Sequence, residues 1–534
     1  MKFIFKYPVI SIILFSLLSY FSHLALLPIS IMEARNFLVA REMLTDGNWL
    51  LTTMNGIPRY EKPPLPAWFS TLFVSEDTQS LFWFRLPTSI ISSIGLIVFY
   101  FIVKCLSNKK ELSLIATLIL GSSFYYIVIQ FEAPSDMYTH VFMAFGILFL
   151  IRLFKNSKYT FQDFILASFG ISASILSKGP IGIYALLIPF ILAYTISFKI
   201  SKKNVFLFIG VIAFSTLVGG SWFAYVRWAD PDVFIEIVSK ESENWTNYNV
   251  KPFYFYWNFF LQTGIWSIPA LLGILLPILR KRLLKDKIYL FSFLWTIFTL
   301  VLLSIVPEKK PRYLMPILFP LAISSAFFIK QLWTENKAYF LGKYAMIVHF
   351  LLISCFCIST AFVPFFIKNS STSFIFWYII LLLACICLGY FIFYNYKKQN
   401  LTNLIFSNVL VILIATSIGK YGLSYILNES NYLSVEDASN LVENKKIFHF
   451  DEIRPEVIWE LNSKTIEFST DKIDDYVNFF VLVNENQYAN FLDILPENFK
   501  IEEDYVFERN YILNRRNIRK QNEFLFHLYL ISKN

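Results

Sequence analysis

The sequence predicts an all-α polytopic membrane domain of about thirteen transmembrane helices, followed by a small C-terminal α/β soluble domain. Three observations carry this. Apolar runs of spanning length recur through residues 1–427, Lys and Arg cluster in alternate connections, and from 428 to 534 short β-rich runs replace the long apolar ones. With 56% hydrophobic, 19% aromatic and 16% charged residues, the chain lies far from a soluble composition.

A span needs about 20 apolar residues to cross a hydrocarbon core of about 30 Å. Runs of that kind lie near 8–28, 84–103, 112–130, 137–154, 161–177, 180–198 and 204–227, and again near 255–279, 288–306, 313–333, 343–367, 374–395 and 401–426. An odd count places the two termini on opposite sides. Positive charge is retained in the cytoplasm. Lys2 and Lys6, Lys104 with Lys109 and Lys110, Arg152 with Lys155 and Lys158, Lys202 and Lys203, Arg280 to Lys287, Lys337 and Lys343, and Lys397 and Lys398 share one face, which is therefore the cytoplasmic one. The first loop at 29–80, the turns at 132–136, 177–180 and 308–312, the loop at 229–254 and the tail then share the extracytoplasmic face. The net charge of +9 follows from this topology and leaves no nucleic-acid footprint to explain. The first span, with no small-residue cleavage site after Leu27, reads as an uncleaved signal anchor. All five cysteines sit in or at the ends of spans, so an outer disulfide framework has no support.

In the tail, IFHF, TIEF, FFVLV and FLFHLYLI read as strands, and SVEDASNLVEN and NQYANFLDIL as helices.

The stretch 32–68 is too charged for hydrocarbon. Glu33, Phe37, Ala40, Arg41 and Leu44 recur at helical spacing, and Asp46-Gly47-Asn48 stops that helix, which predicts an amphipathic interfacial helix. Asn55-Gly56 makes a second turn, and Glu61-Lys62-Pro63-Pro64 holds a carboxylate and an amine in place ahead of the apolar stretch 65–73. Elsewhere on the same face, Glu132 and Asp136 bring carboxylates to a span boundary, where an ionisable group is a candidate site residue. Lys178, in Ser177-Lys178-Gly179-Pro180, and Lys309, Lys310 and Arg312, in the run ending at Tyr313, put cations where the positive-inside bias would exclude them. Outward cations at head-group level suit a phosphate or pyrophosphate head group. The aromatic run 253–257 reads as an interfacial belt.

These motifs resemble a family. Met32-Glu33-Ala34-Arg35-Asn36, Ala40-Arg41-Glu42-Met43-Leu44 and Glu61-Lys62-Pro63-Pro64-Leu65, with Asp136, Leu176 to Pro180 and Arg312 to Pro316, are similar to the motifs of the aminoarabinose and dolichyl-phosphate-mannose type protein glycosyltransferases, which have the type C glycosyltransferase fold. The likeness runs through about the first 330 residues. It implies a polyprenyl-phosphate-linked sugar as donor, with Lys62 and Tyr313 on its phosphate and Lys178, Lys310 and Arg312 as neighbours. It also implies Glu61 as ligand of a divalent metal. Two positions depart from the family: Met32 stands where the family has Asp, and 244–252 offers no counterpart to an expected His and Arg. The base is therefore reassigned to Asp136 or Glu33, with Arg35, Arg59, Tyr60 and Glu132 as substrate-binding candidates.

The expected protein is a hexosyl- or pentosyltransferase of the bacterial inner membrane. It would pass the sugar to an extracytoplasmic glycolipid of the lipid A kind, another envelope glycan or a protein, among membrane lipids and without nucleic acid. The alternative is a transporter or flippase of lipid-linked saccharide, which should show paired broken spans with polar residues at the bilayer midplane.

Overall fold

The computed structural model describes residues 2–22, 24–74, 78–132, 134–279, 281–334, 340–362, 372–398, 400–422, 439, 441–442, 445–473, 476–508 and 525–533. Among these, nine helices are long and apolar enough to cross a membrane, or ten if the bent pair Lys110–Gly121 and Phe124–Glu132 is one span. The chain is a multi-pass membrane protein. The expected count of thirteen full-length spans is not reached among the described residues. The first and sixth are the shorter apolar helices Pro8–Tyr20 and Ile183–Ser197. The eleventh corresponds to Phe340–Ser359, after which 363–371 lie outside the described residues.

The third expected span bends by 52°, and the bend has a local cause. Ser122 and Ser123 at its corner turn their hydroxyls back onto the Leu118 and Ile119 carbonyls, and Trp266 donates its indole N–H to Ser122 Oγ at 2.7 Å. Hydroxyls that bond four residues back compete with the helix ladder and bend it.

The helix Ile31–Asp46 opens with a capping box, in which Ser30 Oγ accepts from Glu33 N at 3.3 Å and Glu33 Oε2 from Ser30 N at 3.0 Å. It closes at Gly47, whose φ of 77° a β-carbon would resist. A hairpin follows, β1 (Thr53–Met54) against β2 (Ile57–Pro58), turned by Asn55 and Gly56 with φ of 58° and 74°. Glu42 ties hairpin to helix, accepting from Thr53 Oγ1 and from the Asn55 and Gly56 amides. Leu65–Thr71 then forms a short helix after the two prolines.

The expected interfacial helix with one wet face is corrected by the structure: Ile31–Asp46 is buried on most sides, including Glu33, Arg41 and Glu42. The tail lies over it. Phe37 packs on Phe84 at 5.2 Å and on Trp459 of the tail at 5.7 Å. Loop and tail therefore lie on the same side of the membrane domain, as the charge alternation requires.

The tail holds a five-stranded sheet in the order β4-β3-β5-β7-β6. Strand β3 (Ile447–Phe450) runs parallel to β4 (Ile466–Glu467) and β5 (Asn478–Asn484), while β7 (Leu525–Lys533) runs antiparallel to β5 and β6 (Phe499–Glu508). Apolar clusters cover both faces, around Phe480 and Leu528 on one and Phe479 and Tyr529 on the other. The expected strands are present, and Tyr488–Ile494 is the expected second helix. Strand β6 escapes sequence reading because it is an edge strand full of charge, FKIEEDYVFE. The expected helix SVEDASNLVEN and the domain boundary at 427/428 lie largely or wholly outside the described residues.

Glu33, a candidate base, is a buried structural group. Arg85, within the span Leu81–Ser107, grips it with Nε at 2.8 Å and Nη2 at 3.0 Å and donates further to the Leu24, Leu27 and Pro28 carbonyls. Both oxygens of Glu33 thereby accept from Arg85. Replacing one partner of a buried pair strands the other charge at a cost of about 3–5 kcal/mol. Arg85→Met should lose stability of that order in detergent unfolding, and Glu33→Leu in the same chain should restore the part due to the stranded charge. Equal stability of Arg85→Met and the parent would show that the pair does not anchor the loop.

Candidate active site

A pocket opens where the loop meets two spans. Met32, Asn36 and Val39 form one wall; Arg59, Lys62 and the two prolines after it form another; Asp136 and Lys178 complete it. Helix ends place the last two. Pro134 starts the span Pro134–Phe154, which sets Asp136 in its first turn, and Lys178 lies in the last turn of Thr160–Lys178 ahead of Gly179. A carboxylate at a helix start and an amine at a helix end each suit the local dipole. These two helices can touch closely because Gly146 faces Gly170: a β-carbon on Gly170 would fall 2.6 Å from the Gly146 nitrogen. Ser174 Oγ donates across the contact to the Thr139 carbonyl at 2.8 Å.

Asp136 is buried, and its Oδ1 accepts from Lys178 Nζ. Arg312 Nε stands 4.0 Å from its Oδ2, which has no hydrogen-bond donor among the described residues. The Tyr313 ring gathers the neighbouring cations, with Lys178 Nζ 5.3 Å, Lys310 Nζ 5.8 Å and the Arg312 guanidinium carbon 5.8 Å from its centre. Lys310 pairs with Glu308 at 2.5 Å, and the Tyr313 hydroxyl donates to the same carboxylate at 3.1 Å. Lys310, Arg312 and Tyr313 thus flank the pocket and do not line it. Lys309 is a main-chain strut, donating to the Lys251 and Val306 carbonyls.

Lys62 Nζ lies 3.9 Å from Glu241 Oε2, on the helix Pro231–Asn247. Burial pushes its amine below the ordinary lysine range, and Glu241 draws it partly back. Burial likewise lowers Arg59 to about 10. Arg59 donates to the Arg35 carbonyl at 2.7 Å, so the segment carrying Lys62 is tied to the loop helix.

Other candidates lie elsewhere. Tyr60 is buried outside the pocket, and its hydroxyl donates to Asp230 Oδ2 at 2.9 Å; burial, then that bond, pushes it up to about 12. It fastens the loop to the start of Pro231–Asn247. Arg35 contributes its carbonyl and is not a lining residue, and Glu132 is exposed at a helix end outside the lining. Glu61 stands 3.9 Å from Arg59 Nε, and no group of three His, Cys, Asp or Glu among the described residues suits a metal ion.

Comparison with known proteins bears on the fold. Residues 61–222 match the family described as dolichyl-phosphate-mannose-protein mannosyltransferase. The chain covers 98% of the structure of ArnT from Cupriavidus metallidurans bound to undecaprenyl phosphate, itself 98% covered, with a TM-score of 0.73 at 12% identity. The fold is that of the ArnT structure. An archaeal oligosaccharyltransferase, AglB from Archaeoglobus fulgidus, solved with an inhibitory peptide and a dolichol-phosphate, is more distant, with a TM-score of 0.51 at 10% identity over 91% of this chain and 70% of that one. In sequence, the undecaprenyl phosphate-alpha-4-amino-4-deoxy-L-arabinose arabinosyl transferase of Serratia proteamaculans is 24% identical over 55% of this chain and 54% of its own. The corresponding transferase 2 of Proteus mirabilis is 22% identical over 55% and 54%. The chain spans about half the length of the curated relatives it matches.

Met32 lines the pocket where the resemblance led one to expect an Asp. Sequence reading missed three residues that matter here. Arg85 could have been found as a lone charge inside an apolar span. Glu241 was one of several loop acids with no mark to single it out, and Asn36, a pocket residue whose Nδ2 reaches Ser70 Oγ at 3.2 Å, carried no signal.

Because Glu241 raises the Lys62 pKa, removing its charge should lower it further. In Glu241→Gln, the pH profile of Lys62 acylation, read by mass spectrometry, should shift to lower pH than in the parent. An unmoved midpoint would mean that Glu241 does not act on Lys62.

Proposed function

We propose that this chain is a membrane glycosyltransferase that moves a sugar from a polyprenyl-phosphate donor to an acceptor hydroxyl at the extracytoplasmic face of a bacterial inner membrane. The observation that carries the reading is one pocket, at the junction of the loop and two span ends, holding Lys62, Lys178 and Asp136 together. The relatives' donors and the shared fold support it. The charges sit at helix ends, away from the bilayer midplane where a transporter would bind its cargo, so the flippase alternative is not favoured.

Lys62 and Lys178 hold the donor phosphate, with Arg312, Lys310 and Tyr313 beside them. Asp136 takes the proton of the acceptor hydroxyl through Oδ2. The acceptor oxygen bonds to the anomeric carbon as the bond from that carbon to the phosphate oxygen breaks. The electron pair leaves on the polyprenyl phosphate, and the amines stabilise the charge that grows there. The sugar named for the relatives, 4-amino-4-deoxy-L-arabinose, is the first donor to test, ahead of hexoses. The acceptor is a glycolipid of the lipid A kind, another envelope glycan or a protein.

Lys62→Ala removes a charge-assisted phosphate contact worth about 1.5–3 kcal/mol, so polyprenyl phosphate should bind about 10- to 100-fold more weakly. Its affinity for the parent should also fall as pH rises through the lowered Lys62 pKa, earlier than for an ordinary lysine. Parent-like affinity in a folded Lys62→Ala protein would refute the phosphate assignment.

Asp136→Asn keeps the size of the side chain but cannot accept the proton. Transfer assayed in liposomes should slow by about 10²- to 10⁴-fold. A chelator should leave the parent unchanged, since no step passes through Glu61 and a metal. Full-rate turnover by Asp136→Asn would remove the base assignment.

A further inference from the structure

We infer that the tail domain is a positioning clamp for the loop wall of the pocket, acting through Arg41 and Trp459. The inference rests on the proposed function for its donor readout, and the geometry is independent of it. Arg41 projects from the loop helix on the side away from the pocket residues Met32, Asn36 and Val39, and it is buried. Its Nη1 donates to the Trp459 carbonyl at 3.2 Å and to Asn462 Oδ1 at 3.0 Å, and its Nη2 to the Ile458 carbonyl at 3.1 Å. These carbonyls belong to the end of the short tail helix Pro455–Glu460, so the guanidinium caps that helix with positive charge. The same guanidinium lies 5.0 Å from the centre of the Trp459 ring, which also packs edge-on against Phe84 at 4.9 Å.

A second contact fixes the hairpin. Asn55 Nδ2 donates to the Thr465 carbonyl at 2.9 Å, and the Thr465 amide returns a bond to Asn55 Oδ1 at 2.8 Å. Asp46 and Lys464 pair at the rim. The tail thus holds the loop helix and its hairpin at separate points. The loop helix holds the pocket's cationic segment in turn, through the bond from Arg59 to the Arg35 carbonyl. A shift of the docked helix therefore moves Met32, Asn36 and Lys62 together relative to Asp136, which stands on a different element. A displacement of about 1 Å in such a wall can cost about 100-fold in rate without touching the chemistry.

The test uses the full chain with Arg41→Met, Trp459→Leu, the double variant and Arg41→Lys, each checked for folding by unfolding temperature and monodispersity. Binding of polyprenyl phosphate, sugar transfer and the acylation profile of Lys62 are read together. Both single variants should bind the lipid phosphate about tenfold more weakly, and the double variant no more weakly than either. Arg41→Lys, which keeps a cation over Trp459, should recover part of the loss. The Lys62 profile should move in the same variants, a change that loss of stability alone would not produce. Parent-like donor affinity and an unmoved Lys62 profile in folded single variants would overturn the clamp. A parent that binds no polyprenyl phosphate would overturn the proposed function, and the Lys62 profile alone would then decide the clamp.

Discussion

The close contact between the two spans that carry Asp136 and Lys178 is the constraint around which the site is built. Two opposite charges taken out of water cost more in desolvation than their attraction returns unless geometry and hydrogen bonding are favourable, so such a pair is weak evidence for stability. Here the helix contact sets the geometry of the pair. Gly146 against Gly170 brings two spans into backbone contact, and the start of one and the end of the other then present the carboxylate and the amine to each other. Membrane helices gain little from hydrophobic attraction to one another, and small residues that permit close approach are what hold them. The pair is thus a consequence of packing, and the pocket is the space left above it.

The loop that closes the pocket is a helix, a hairpin and a short helix, joined to one another and to the spans largely by side chains gripping main chain. Arg85 binds Glu33 and three carbonyls, Glu42 takes two hairpin amides, Arg59 takes the Arg35 carbonyl, and Tyr60 reaches Asp230. Each of these polar groups is buried or nearly so, where an unmade bond is expensive and a made one is specific. Charge in this loop, which at first reading suggests catalysis, is therefore mostly structural. Of its charged side chains, Arg59 and Lys62 reach the pocket.

That division marks how far the sequence could be read. Features written in local pattern were legible: the apolar runs, the helix that ends at Gly47, the Asn55-Gly56 turn, and Asp136 and Lys62 at boundaries where a charge is conspicuous. Features that depend on distant partners were not. Glu33 reads as a free acid until Arg85, 52 positions away, is seen to hold it, and Arg41 reads as a solvated helix residue until Trp459, 418 positions away, covers it. The bend at Ser122 is local in cause, yet two adjacent serines occur often in straight helices, so only the structure shows their effect.

The methionine at position 32 is best understood through charge. The pocket lining carries three cations, Arg59, Lys62 and Lys178, against one carboxylate, Asp136. An aspartate at position 32 would make the ratio three to two. Under the proposed function the donor, a sugar linked through a phosphodiester, carries one negative charge, and the departing polyprenyl phosphate gains more as the bond to the sugar breaks. A surplus of fixed positive charge stabilises the second state more than the first, which is the differential binding that accelerates a reaction. In the proposed reaction one base suffices for one proton, and Asp136 Oδ2 accepts no hydrogen bond among the described residues. Replacing a second carboxylate by an apolar side chain removes no necessary step on this account and leaves the field in the pocket more positive where the leaving group forms.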